Sequence, residues 1–288
     1  MVRHMTTELD IRLTDGRTLH VYDWSPEGAT GRGVEPLPVL WHHGTPGLGL
    51  PPQPLFAAAR RQAIRWISYD RPGYGGSTPA AGRDLAAAAA DTAAVADALG
   101  LPRFGALGVS GGASHALACA ALLPERVVGV VSVAGLAPYG APGLDWFAGM
   151  YPGGKAELRA AVAERAQLAA ELASSEFDPE MFTERDHAAL QGEWSWLADT
   201  ARLGTASGLD GMLDDDLAYV APWGFDPGRI TVPVLILHGG ADRVVPAGHG
   251  EWLARAIPGA ELRRHPADGH LSILNAAACA LPWLRVRA

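Results

Sequence analysis

Phe104–Ala120 reads FGALGVSGGASHALACA: an uncharged apolar run, a serine between glycines, then a run of small helix-forming residues. Phe104–Val109 has no polar side chain and fits a strand buried on both faces. The alanine-rich run after it fits a helix, so Ser110 stands on the turn between the two. Gly108-Val109-Ser110-Gly111-Gly112 has the form G-x-S-x-G, in the strand–turn–helix setting where a sharp turn exposes a nucleophilic serine. The small flanking residues leave room for that turn. A helix N-terminus also offers free N–H groups and a dipole that favour developing negative charge. Taken alone, the stretch fits equally well a glycine-rich turn with an incidental serine.

The chain on either side supplies a context. LDIRLTDGRTLHVYDW (Leu9–Trp24) is two alternating runs joined at Asp15-Gly16, which predicts a hairpin. Short apolar runs bounded by turn residues follow at Leu37–Gly44, Ile64–Asp70, Phe104–Val109, Val127–Leu136 and Val232–Gly239, with a more polar run at Ala260–Pro266. Helix-like segments lie between them at Pro54–Gln62, Asp84–Leu99, Ala113–Leu123, Gly248–Ala256 and Ser272–Leu281. This alternation predicts an α/β fold, a mostly parallel sheet with helices on both faces. It stops between about Ala137 and Asp226, where two helical runs and no convincing strand are found. The expected organisation is a core formed by residues 1–136 and 227–288, with residues 137–226 as a helical lid.

Composition narrows the function classes. In 288 residues, 48% are apolar and 19% charged, as in ordinary globular proteins. The net charge of −8 argues against nucleic acid or an anionic membrane surface as partner. No apolar run approaches the ~20 residues of a membrane helix. The opening MVRHMTTELD lacks the apolar core of a secretory signal, which implies a cytoplasmic protein. Cys119 and Cys279 lie in alanine-rich runs and read as two buried free thiols, with no metal-ligand spacing.

A serine needs a base, and the base needs an acid to orient it. Among ten histidines, His270 is best placed, in a turn-forming loop between the last strand and the last helix. His115, five residues past Ser110 on the same helix, cannot easily reach back, and His238 ends a strand where it packs. Asp242 follows the strand Val234–Leu237 by a short loop and is the candidate acid. Asp268 is too close to His270 in sequence, and Asp214, Asp215 and Asp216 are expected on a solvated face of the lid. The order Ser110…Asp242…His270 is one of the known solutions of the serine triad. An oxyanion hole needs two amides. Gly111 supplies one and Thr45, in WHHGTPG, the other, because Pro46 has no N–H.

At this point the chain resembles the α/β-hydrolase family, through HGTPG (His43–Gly47), DRPGYGGS (Asp70–Ser77), GVSGG (Gly108–Gly112), HGGADRVVP (His238–Pro246) and DGHLS (Asp268–Ser272). The resemblance implies about eight strands and a helical cap after strand six. It also implies Ser110 as nucleophile, Asp242 as acid and His270 as base, with DRPGYGGS as a structural turn beside the site. It implies no cofactor and no metal, only a small-molecule substrate. Serine at the elbow argues against epoxide-hydrolase and dehalogenase chemistry, which uses aspartate there. The aromatic and methionine content of the lid implies an apolar ester, with Trp146 and Trp194 expected to face the cleft. HGTPG is also similar to the HGGPG of prolyl iminopeptidases, in which case Glu193 or Asp199 would hold a substrate ammonium. The chain has Thr45 where those enzymes have glycine, and GVSGG departs from their GxSWG. Lyases and ligand-binding members of the fold share every motif used above, and cofactor-free peroxidase activity also occurs in the family.

Overall fold

A computed structural model of the chain describes residues 6–26 and 35–288. The first five residues and most of the Gly/Pro-rich connection after the hairpin lie outside the described residues. Strands β1 (Thr7–Arg12) and β2 (Thr18–Trp24) form the predicted hairpin, with Gly16 at φ +89° in its turn. The apolar runs become β3 (Leu37–His42), β4 (Ile64–Tyr69), β5 (Phe104–Val109), β6 (Val127–Val133) and β7 (Val234–Gly239), and the polar one β8 (Glu261–His265). Among the described residues they make one eight-stranded sheet in the order β1-β2-β4-β3-β5-β6-β7-β8. The pairings β1–β2 and β2–β4 are antiparallel, and all others are parallel.

Every residue of β5, β6 and β7 is buried, so these strands show continuous apolar runs instead of alternation. Successive side chains point to opposite faces and feed two cores. Leu40, Ala106, Val130 and Ile236 pack on one side with helices α2 (Ala87–Ala98), α3 (Gly111–Leu122) and α9 (Ala247–Ala256). Trp41, Leu107, Val131 and Leu237 pack on the other side with α1 (Phe56–Gln62) and α10 (Ala277–Arg285).

Helices α4 (Pro152–Ala163), α5 (Arg165–Ser174), α6 (Glu184–Gln191), α7 (Trp196–Gly204) and α8 (Asp210–Val220) lie between β6 and β7. The first helical run of the sequence breaks at Glu164, which is extended at φ −175°, ψ 162°, with no glycine or proline to announce it. Two expectations are corrected. Asp214, Asp215 and Asp216 are buried at 2%, 0% and 2% exposure, because α8 turns that part of its surface into the molecule. Cys279 is exposed, unlike Cys119, because α10 buries Ala277, Ala280, Leu281 and Leu284 and leaves Cys279 on its outer face.

Candidate active site

Five loops at the carboxyl ends of parallel strands converge, following β3, β4, β5, β7 and β8. This is where open α/β sheets place their ligands. Ser110 follows β5 at φ 54°, ψ −127°, a backbone conformation that non-glycine residues rarely adopt. The glycines around it are required by contact. A Cβ on Gly112 would run into the backbone carbonyls of His42 and His43, and one on Gly108 would lie 2.7 Å from Ala113 Cα. Ser110 N–H donates to Val133 O at 2.8 Å, which ties the turn to β6.

Ser110, His270 and Asp242 come together. His270 Nε2 lies 3.0 Å from Ser110 Oγ, and Nδ1 lies 2.8 Å from Asp242 Oδ2. Because a carboxylate only accepts, Nδ1 carries the proton and Nε2 is free to accept from the serine. Asp242 Oδ1 accepts from Val244 and Val245 N–H, both at 2.8 Å, so the carboxylate is held on both oxygens. Burial works to lower the His270 pKa, but the charge and hydrogen bond of Asp242 outweigh it and leave it above its ordinary value. His238 packs as expected, donating from Nε2 to Val245 O at 2.7 Å. His115 bonds back to Gly111 O and does not engage Ser110.

Thr45 and Gly111 line the same cavity as Ser110. As the first residue of α3, Gly111 has an N–H with no acceptor within the helix. The Thr45 amide is oriented by Arg71, which follows β4. Its guanidinium donates to His43 O, Gly44 O and Thr45 Oγ1 at 2.5, 3.1 and 3.0 Å. A trans peptide points its N–H opposite its carbonyl, so a Gly44 carbonyl turned to Arg71 directs the Thr45 N–H away from it. DRPGYGGS is a structural turn. Asp70 accepts from the amides of Gly49 and Gly76 at 2.8 and 3.0 Å.

The inserted helices supply residues that sequence reasoning missed. Asp215 of α8 accepts from Arg71 Nη2 at 2.6 Å, Arg83 Nη2 at 2.7 Å, Tyr74 Oη at 2.9 Å and Thr45 Oγ1 at 2.6 Å. Burial works against its charge, yet Arg71 and Arg83 together hold its carboxyl well below the usual range. With its single proton on Asp215, Thr45 Oγ1 accepts from the Tyr219 hydroxyl at 2.6 Å. Asp186 of α6 grips the histidine loop, accepting from Leu271 N, Ser272 N and Ser272 Oγ at 2.9, 2.7 and 2.8 Å. A signal for Asp215 was present. Consecutive helical residues turn by about 100°, so three acids in a row cannot all face water on a packed helix.

The cavity at Ser110 has a volume of about 740 Å³ and extends beneath α4, α5, α7 and α8. Leu136, Leu158, Leu172, Met212 and Val244 give it apolar walls. Trp146 and Trp194 do not line it. Trp146, 4% exposed, donates to Ala137 O at 2.8 Å and packs on His249, while Trp194, 1% exposed, bonds Asn275 Oδ1 at 2.9 Å within a core. Each indole N–H finds an acceptor, the Ala137 carbonyl or the Asn275 side-chain oxygen, which allows both rings to be buried. Glu193 faces a separate cleft with Arg185 and Asp268, and Asp199 is an exposed partner of Arg202, so neither lines this cavity.

Known proteins agree with this architecture. The family model described as alpha/beta hydrolase fold matches residues 38–277. A non-heme chloroperoxidase of Streptomyces lividans is 32% identical over 252 residues, spanning 82% of this chain and 83% of its own. A hydrolase from Pseudomonas aeruginosa PA01 superposes with a TM-score of 0.68 at 22% identity, covering 99% of both chains. A thermophilic esterase from Thermogutta terrifontis gives 0.69 at 22% identity, covering 98% of this chain and 99% of its own. The chain belongs to the α/β-hydrolase fold family.

Proposed function

We propose that the protein is a serine hydrolase that cleaves a carboxylic ester of a small to medium substrate through an acyl-enzyme. The observation that carries this reading is the continuous hydrogen-bonded line from Asp242 through His270 to Ser110, ending in a cavity. His270 Nε2 takes the hydroxyl proton as Ser110 Oγ attacks the carbonyl carbon, and later gives it to the leaving alkoxide. Water, deprotonated by the same nitrogen, then cleaves the acyl-serine. The amides of Thr45 and Gly111 receive the negative oxygen of each tetrahedral intermediate. Asp215 acts through Arg71 on the first of these amides, and Asp186 acts through the 269–272 backbone on His270. Both are positioning residues from the inserted helices.

The 32% identity to a non-heme chloroperoxidase favours a second reaction of the same residues, with hydrogen peroxide replacing water as acyl acceptor. The test is initial rates on short-chain p-nitrophenyl esters, for the wild type and Ser110→Ala. Turnover that falls at least ~10³-fold in the variant supports the reading. A folded wild type inactive on every ester defeats it, and prolyl-anilides then test the aminopeptidase alternative.

A further inference from the structure

Among the described residues, every buried carboxylate but one is supplied with a cationic, amide or hydroxyl donor. Asp70 has the amides of Gly49 and Gly76, Asp91 has Arg17, and Asp186 has Thr183 and Ser272. Asp214 has Arg165, Asp215 has two arginines, and Asp242 has two amides and His270. The exception is Asp216, 2% exposed, whose Oδ2 has no hydrogen-bond partner among the described residues. It lines the Ser110 cavity, and the group beside it is another carboxyl, Glu157 of α4. Burial and this like charge push Asp216 well above the usual carboxylate range, and burial raises Glu157 as well. A fully buried carboxyl facing a half-buried one, with no cation beside them, destabilises a fold. Buried polar groups left unsatisfied in a cleft mark places where a ligand completes the bonding.

The rest of the cavity points the same way. Glu171, Glu176 and Asp178 also line it, whereas Arg202 is its single cationic side chain among the described residues and is exposed and paired with Asp199. Met212, Asp216 and Tyr219 recur at three- and four-residue intervals, on one face of α8. Tyr219 reaches Thr45, so the carboxyl pair lies on the face that meets the oxyanion loop. The described residues hold no cluster of three or more metal-ligating side chains, so two carboxyls alone would have to bind any metal ion.

We propose that Asp216 and Glu157 form the specificity subsite for a substrate carrying a positively charged nitrogen, seated while Ser110 attacks its acyl group. This rests on the serine-hydrolase reading for the attack but not for the binding. An ammonium group donates to both carboxyls and supplies the charge that the fold omits. The proton shared by the pair leaves as the cation arrives. Anionic acyl groups are turned away, and neutral ones bind against the apolar wall only.

The experiment compares p-nitrophenyl 6-aminohexanoate with the near-isosteric heptanoate ester and with the mono-ester of adipic acid. The expected kcat/KM for the ammonium ester exceeds the heptanoate value at least ~10-fold, with the adipate ester lowest. In Asp216→Asn and Glu157→Gln the ratio of ammonium to neutral ester falls towards one. A wild-type ratio of one or less, or a preference that survives in both variants, overturns the proposal. If no ester turns over, the hydrolase reading fails on its own and binding still decides the subsite. Hexylammonium is then titrated calorimetrically into wild type and Asp216→Asn, with 1-hexanol as the neutral control. Binding of hexylammonium at least ~10-fold tighter than hexanol in wild type, lost in the variant, supports the subsite. Equal binding of both, or binding unaffected by the substitution, refutes it.

Discussion

Replacing Asp215 with asparagine removes one negative charge from a place where two buried cations meet. Arg71 and Arg83 have side chains 2% and 5% exposed, and each pairs with Asp215 at 2.6 and 2.7 Å. Breaking a buried pair by removing one partner costs about 3–5 kcal/mol, because the other charge is left uncompensated. At about 2–4 °C per kcal/mol for a domain approaching this size, Tm falls by roughly 6–20 °C. The same change loosens Arg71 and with it the Gly44 carbonyl, so the Thr45 amide loses its fixed direction. One oxyanion donor is worth about 10²–10³ in kcat, and a partial loss predicts at least a ~10-fold fall. KM should change less, since the oxyanion exists only along the reaction path. Calorimetry and ester kinetics on Asp215→Asn read both effects. A variant that melts within about 1 °C of wild type and keeps its kcat refutes the assignment of Asp215 as the anchor of the oxyanion loop.

The remaining predictions concern protonation and packing. His270 must be neutral to accept the serine proton, and Asp242 raises its pKa above the ordinary 6.5. The kcat/KM on a neutral ester should therefore rise with pH to a plateau, with an apparent midpoint above 6.5; a midpoint below 6.5 contradicts the geometry. Burial lowers His42 to about 3 and His249 to about 4, and holds His43 and His115 well below 6.5. As pH falls below 6.5 the unfolded chain takes up protons that the folded chain refuses, so stability is lost on acidification. At about 1.4 kcal/mol per group per pH unit, these four lose up to about 5 kcal/mol between pH 7 and 5.5. His270 and Asp216, whose pKa values are raised, act the other way, so urea titrations should show a smaller net fall over that range. Trp194→Ala should destabilise by about 3–5 kcal/mol while leaving the chain-length preference on esters unchanged. A changed preference would return Trp194 to the cavity wall.

Most of the sheet was legible because its strands are buried on both faces, and a run such as VVGVVSV has no competing helical reading. The candidate site was legible where a residue's position follows from the end of a strand. Ser110 directly follows β5, and Asp242 and His270 stand a few residues past β7 and β8, in stretches whose glycines and prolines mark them. What stayed hidden depends on contacts between distant segments. Arg71 and Asp215 are 144 residues apart, and each looks like an ordinary surface charge in its own neighbourhood. Trp146 and Trp194 misled for the same reason, since a lid tryptophan reads identically whether it faces a cleft or Asn275. Glu164 broke a helix without a breaker residue, because tertiary packing and not local propensity set that boundary.

The central claim is that Ser110 is an activated nucleophile, and a fluorophosphonate reagent tests it most directly. Wild-type protein treated with the reagent should gain the mass of one adduct, and peptide mapping should place it on Ser110. His270→Ala should slow labelling by at least ~10²-fold while the protein remains folded. Folded wild type that takes no label, or takes it on another residue, would contradict the account.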